Sequence, residues 1–128
     1  MILLLDTHAF LWLMSEPERL SRNALDACSN REHRLLLSLA SVWEIQIKSQ
    51  LGRLALRTPI RDMVEQQVAD GTIELLPIRL EHVVGLDALP PVHRDPFDRI
   101  LVSQARIEEA RLMTKDARLM DYPIRCLW

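Results

Sequence analysis

The sequence predicts an α/β fold in which a mainly parallel sheet is covered by helices on both faces. Two observations lead there. Two short stretches, ILLL at 2–5 and RLLLS at 34–38, are apolar without polar alternation, the pattern of strands buried on both sides. Between and after them, helix-patterned segments alternate with further strand candidates, as βα units do. The chain has 128 residues, enough to bury a substantial core, and nothing in it resembles a flexible linker. A single domain spanning 1–128 is therefore expected.

Taken in order, strand one (2–5) leads into THAFLWLM, a helical pattern. SRNALDACSN follows as a second helix with Ser21 as its cap. RLLLS runs into the amphipathic ASVWEIQIKSQLG, where Gly52 is placed to end the helix. PIRDMVEQQVADG (59–71) has Pro near its start and Gly at its end, the usual helical asymmetry. IELLPI (73–78) is a third strand candidate, weakened in its second half by Pro77. RLEHVVGLDAL (79–89) reads as helix and PPVHR as loop. A helix then starts at DPFDR and continues to about Ala110. RLMTKD (111–116) supplies a fourth strand, and IRCLW (124–128) is a candidate fifth.

Composition excludes several classes. Hydrophobic residues at 48% and charged residues at 27% describe a folded globular chain. A net charge of −2 gives no global nucleic-acid signature. Cys28 and Cys126 lie far apart and match no zinc or redox spacing, so two reduced thiols are expected. MILLLD reaches an acid too soon for a signal peptide or a membrane span. The expected location is the cytoplasm.

The acids carry the chemistry. Asp6 ends the first strand and Asp116 follows the fourth. Glu44 lies early in the helix after strand two, and Asp98 in the first turn of the helix leading to strand four. Ligand sites of open parallel sheets form beyond the carboxyl ends of the strands, so four carboxylates distant in sequence are expected at one edge. Asp95 and Pro96 read as N-cap and N1, which puts Asp98 at N3. Asp98, Leu101, Val102 and Ala105 share one helix face, so this acid points along the buried stripe. A capping-box role is the plain alternative for Asp98, and turn-starting roles are the alternatives for Asp6 and Asp116. Two carboxylates about 4 Å apart repel by roughly 4 kcal/mol at an effective dielectric near 20. Four together need protons or a cation. An oxygen-only donor set points to Mg²⁺, or Mn²⁺, and such ions serve phosphodiester hydrolysis.

At these residues the chain resembles the PIN-domain nucleases, and among them the VapC toxins of bacterial toxin–antitoxin pairs. The matching pieces are LLLDTHAFLWL, SLASVWEIQIKSQLGRL, HRDPFDRILVSQA and LMTKD, in that order and across nearly the whole sequence. The resemblance implies a PIN-like, Rossmann-related three-layer α/β/α fold on a sheet of four to five strands. It further implies a Mg²⁺-dependent ribonuclease, restrained by a VapB-like antitoxin and commonly a homodimer. The family's acidic quartet falls on Asp6, Glu44, Asp98 and Asp116, with none missing.

Around the quartet, Thr7 and Thr114 are candidate hydrogen-bond donors to the carboxylates, or ordinary turn hydroxyls. Asp95 is expected to cap its helix, not to bind metal. His93 is expected to be incidental, with proton transfer the sharper alternative. Lys48, Arg53, Arg57, Arg94 and Arg99 are candidate phosphate contacts or a solvated basic face. Trp12 and Trp43 could stack bases, but their helical spacing favours core packing. Two other readings fit part of the pattern: a receiver-type Mg²⁺-binding signalling module, and a PIN-like RNA-binding module without catalysis.

Overall fold

The computed structural model describes residues 1–128. Five strands, β1 (Ile2–Leu5), β2 (Arg34–Ser38), β3 (Glu74–Leu76), β4 (Arg111–Met113) and β5 (Cys126–Leu127), form one sheet in the order β3-β2-β1-β4-β5. Every pairing is parallel, beyond the mainly parallel sheet expected. β1 is the middle strand, and Leu3, Leu4 and Leu5 are each fully buried. Its lack of polar alternation has that cause, because both of its faces meet helices.

Successive residues of β1 feed two separate cores. Leu3 and Leu5 join Phe10, Ala24, Leu35, Leu37, Ile45 and Val64 on one side. That layer consists of α1 (Thr7–Ser15), α2 (Arg22–Ser29), α3 (Leu39–Gln50) and α4 (Ile60–Ala69). Leu4 joins Leu36, Leu101, Val102, Ala105 and Leu112 on the other. There the cover is chiefly α6 (Pro96–Ile107), with the short α5 (Leu80–Val84) packed against it. The three-layer α/β/α arrangement follows. No helix is long and apolar enough to cross a membrane.

Local chemistry sets most boundaries where the sequence puts them. Ser21 accepts the Ala24 amide at 3.0 Å and caps α2. Gly52 and Gly71, just beyond α3 and α4, take φ of 71° and 72°, a backbone that side chains resist. Several elements are shorter than expected. β3 stops before Pro77, β4 spans three residues of the six proposed, and the 79–89 helix breaks into α5 and a 3-10 turn over Gly85–Ala88. α6 ends at Ile107, not Ala110, because Glu109 turns to φ 54°.

The α5–α6 crossing is tight at Gly85. A Cβ added there would sit 2.8 Å from Ser103 Oγ, which itself donates to the His82 carbonyl at 2.6 Å. Gly85→Ala should therefore destabilise the protein by about 1–3 kcal/mol, as overpacking does. A denaturant midpoint unchanged from the parent would show that this crossing has slack.

Candidate active site

The chain builds strands β2 and β3 to one side of β1, then returns to add β4 and β5 on the other. The switch point of strand order therefore lies between β1 and β4, where open parallel sheets place their ligands. Asp6 leaves β1 at that point, and Thr114 and Asp116 leave β4 beside it. Glu44 reaches the same edge from α3 in one helical layer, and Asp98 from α6 in the other.

Asp6 is the N-cap of α1 and accepts the Ala9 amide at 2.7 Å. Burial raises its pKa; the Thr114 hydroxyl and the Ala9 amide pull it back, while the Glu44 charge adds to the rise. Glu44 is buried, with both oxygens engaged: Thr7 Oγ1 donates to Oε1 at 2.6 Å, and Lys48 Nζ lies 2.7 Å from Oε2. The Thr7 hydroxyl thus donates to one acid, and the Thr114 hydroxyl favours the ionised form of another, Asp6. Thr114 also accepts the Asp116 amide at 3.0 Å.

Asp98 decides between the two readings of its helix turn. In a capping box its carboxylate would accept the Asp95 amide. That amide instead faces His93 Nδ1 at 3.4 Å, and Asp98 Oδ2 lies 2.9 Å from His93 Nε2. Asp95 does the capping, its Oδ1 accepting the Phe97 and Asp98 amides at 2.9 and 3.4 Å. Leu101, Val102 and Ala105 are at most 1% exposed, so Asp98 does continue the buried stripe. Burial, then the charges of Asp95, Glu44 and Asp6, push its carboxyl up to about 6, against a lowering by His93. Mutual repulsion is the electrostatic mark of convergence.

Asp116 has a different environment. Arg118 forks onto it, Nε to Oδ1 at 3.1 Å and Nη2 to Oδ2 at 2.9 Å, and holds its pKa below the usual range. Donor atoms of Asp98, Asp116 and His93 nevertheless lie within 4.8 Å of one another. The structure therefore brings all four expected acids to one edge, with Asp116 partly neutralised.

His93 is no bystander, contrary to the sequence expectation. Its Nδ1 accepts the Arg94 amide at 2.9 Å, which keeps the ring proton on Nε2, facing Asp98. The Nε2–Asp98 approach is close but off the angle of a true hydrogen bond. Arg99 is also placed differently from expectation. It binds the Pro90 carbonyl at 3.0 Å and Tyr122 Oη at 3.1 Å, and so ties down the loop before α6 without facing the acids. Tyr122 Oη in turn accepts the His93 amide at 2.9 Å, which fixes where His93 sits. Trp43 is 60% exposed and meets Phe97 edge-on at 5.2 Å, so core packing does not describe it. Trp12 does pack on the core, against Trp128 and under Arg19. Both cysteines are free thiols, as expected.

The donor set fits a hard divalent cation. It consists of four carboxylates: Asp6 and Glu44 are buried, and the partly buried Asp98 has no aligned hydrogen bond and is pushed toward its neutral form. A receiver-type module does not fit, because its strands run in the order 2-1-3-4-5, not 3-2-1-4-5.

Residues 3–124 match the PIN domain. The chain belongs to the PIN-domain family. A relative, Ribonuclease VapC22 of Mycobacterium tuberculosis, is 31% identical over 121 residues, covering 93% of this chain and 90% of the relative. Two solved structures share the fold. VapBC2 from Rickettsia felis, bound to a promoter DNA fragment, aligns with a TM-score of 0.70 at 14% identity, covering 100% of this chain and 98% of the other. DNA-bound VapBC from Salmonella typhimurium aligns at 0.66 and 14%, covering 99% and 97%.

Two predictions follow from these geometries. The folded pKa of Asp98, about 6, lies above its ordinary value of 3.8, so the native state holds the proton more tightly. Metal-free stability should then fall as pH rises through about 4 to 6, with the full penalty present above that window. Asp98→Asn should remove this slope and be the more stable protein at pH 7 in chelator. Unfolding curves that stay parallel across that pH range would rule the repulsion out. Asp95→Ala should instead cost about 1 kcal/mol through loss of the cap, read as a lower melting temperature.

Proposed function

We propose that this protein is a metal-dependent endoribonuclease, the toxin of a toxin–antitoxin pair. The observation that carries the reading is the gathering of Asp6, Glu44, Asp98 and Asp116 at the switch point of the sheet. It is supported by kinship to a protein named as a ribonuclease and by a fold shared with VapBC proteins. We take the chain as one PIN domain acting in the cytoplasm on RNA. Its partners are a VapB-like antitoxin and a second copy of itself.

Asp6, Glu44, Asp98 and Asp116 would hold Mg²⁺, with Mn²⁺ as the substitute. When bound, such a cation polarises phosphate oxygens and makes water a stronger acid. The chain's own groups prepare that site. The Thr7 hydroxyl and the Lys48 ammonium fix the two oxygens of Glu44. The Ala9 amide fixes one oxygen of Asp6. His93 places its Nε2 proton beside Asp98 and favours the ionised carboxylate there. Arg118 holds Asp116 ionised and supplies positive charge at the outer side of the cluster.

The test uses purified protein and single-stranded RNA. Cleavage should appear with Mg²⁺ or Mn²⁺ and vanish in EDTA; undiminished cleavage in chelator would remove the metal mechanism. Asp98→Ala should be inactive and harmless on expression, whereas Asp95→Ala should retain most cleavage. The reverse result would mean that the face of α6 carrying the chemistry has been misassigned.

A further inference from the structure

Beside the acids lies a cleft of about 450 Å³ that shares Glu44 and Lys48 with the acidic site. It runs between the C-terminal half of α3 and the residues that begin α6. Lys48, Arg53 and Arg94 line it from three chain segments. Lys48 is spent on Glu44, but the exposed guanidinium groups of Arg53 and Arg94 have no carboxylate partner within the chain. The acids that line the cleft do not cancel them. Glu44 is paired with Lys48, and Asp95 is turned to the amides of α6.

The wall also carries unusual apolar exposure. Phe97 lines the cleft, and Trp43, which is not itself a lining residue, meets the Phe97 ring edge-on with 60% of its own surface open. Leu51, one of the lining residues, is 62% exposed. An indole left in water is unfavourable, and through Phe97 it adjoins a cleft that holds two arginines without a carboxylate partner. Aromatic faces interleaved with free cations are what unpaired nucleotides require: bases stack on the rings and phosphates meet the guanidinium groups.

We propose that this cleft seats the nucleotide flanking the bond to be cut in single-stranded RNA. Its base stacks on Trp43, braced by Phe97, and its phosphate lies between Arg53 and Arg94. The proposal rests on the ribonuclease reading for its substrate and extends it to the strand's conformation. A base inside a duplex cannot offer its face, so paired RNA is disfavoured. The charge complementarity and the continuity of the cleft with Glu44 favour RNA over a second protein copy as the occupant.

Binding is read separately from cleavage, with a fluorescein-labelled single-stranded RNA oligonucleotide of mixed sequence and anisotropy, on the Asp98→Asn background in chelator. Adding Trp43→Ala should weaken binding about tenfold, the scale of one lost base stack. Trp43→Phe should recover most of it, and Trp43→Leu should not. Arg53→Ala and Arg94→Ala should each reduce the salt slope by about one. A duplex of the same sequence should bind more weakly than the single strand. Unchanged affinity in Trp43→Ala overturns the proposal. So does a Trp43→Ala protein that loses its dimer while Trp43→Leu restores both dimer and RNA affinity, because the stripe is then an interface between copies. If the Asp98→Asn pattern holds but the parent with Mg²⁺ cuts no RNA, the cleft stands and the nuclease reading fails.

Discussion

The acidic edge depends on β1 being dry on both faces. Because Leu3, Leu4 and Leu5 are fully buried, the strand is held from above, below and both sides, and its end is fixed. Asp6 is the first residue past that end. Had β1 been an edge strand, its end would be free to fray and Asp6 would have no defined neighbours. The central position also sets what lies opposite: β4 pairs with β1 through Met113, so the residues after Met113 emerge next to Asp6.

The acids reach one place by three routes. Asp6 and Asp116 follow strands, Glu44 comes from one helical layer and Asp98 from the other. No local stretch contains the site, and three of the carboxylates are each fixed by a separate set of contacts: an N-cap for Asp6, a threonine from α1 and a lysine of its own helix for Glu44, an arginine fork for Asp116. Asp98 is the exception. Its only close partner is a histidine that meets it off angle, so little offsets its burial and the charges of Asp95, Glu44 and Asp6. The core stripe of α6 holds the residue in place despite that cost, since Leu101 and Val102 lock the helix face.

Much of this was legible in the residues themselves. Continuous apolar runs marked β1 and β2, and the acids after strands one and four marked the edge. The i, i+3, i+4 spacing gave the direction of Asp98. What escaped had a common physical cause, namely long-range placement. Arg99 looked like a phosphate contact because it flanks Asp98, yet carbonyls of a distant loop claim it. His93 looked incidental because nothing in a loop sequence says that Tyr122 will hold its backbone. Trp43 shares helical spacing with core residues, but its side chain falls where the two helical layers meet beyond the end of the sheet, and nothing covers it. The shorter strands reflect Pro77 and the brief pairing that β5 offers β4.

An all-parallel sheet contains no hairpin, and that has a consequence for when the site comes into being. Leu5 pairs with Met113, roughly a hundred residues later in the chain. Closing so long a loop is slow, and it cannot begin until the second partner exists. A ribosome adds roughly 5–20 residues per second, so Asp6 waits several seconds for Asp116 to be made. β4 must also clear the exit tunnel before it can dock, so the acids meet later still. The order of the strands thus delays assembly of the acidic edge until the stretch through Asp116 has been synthesised.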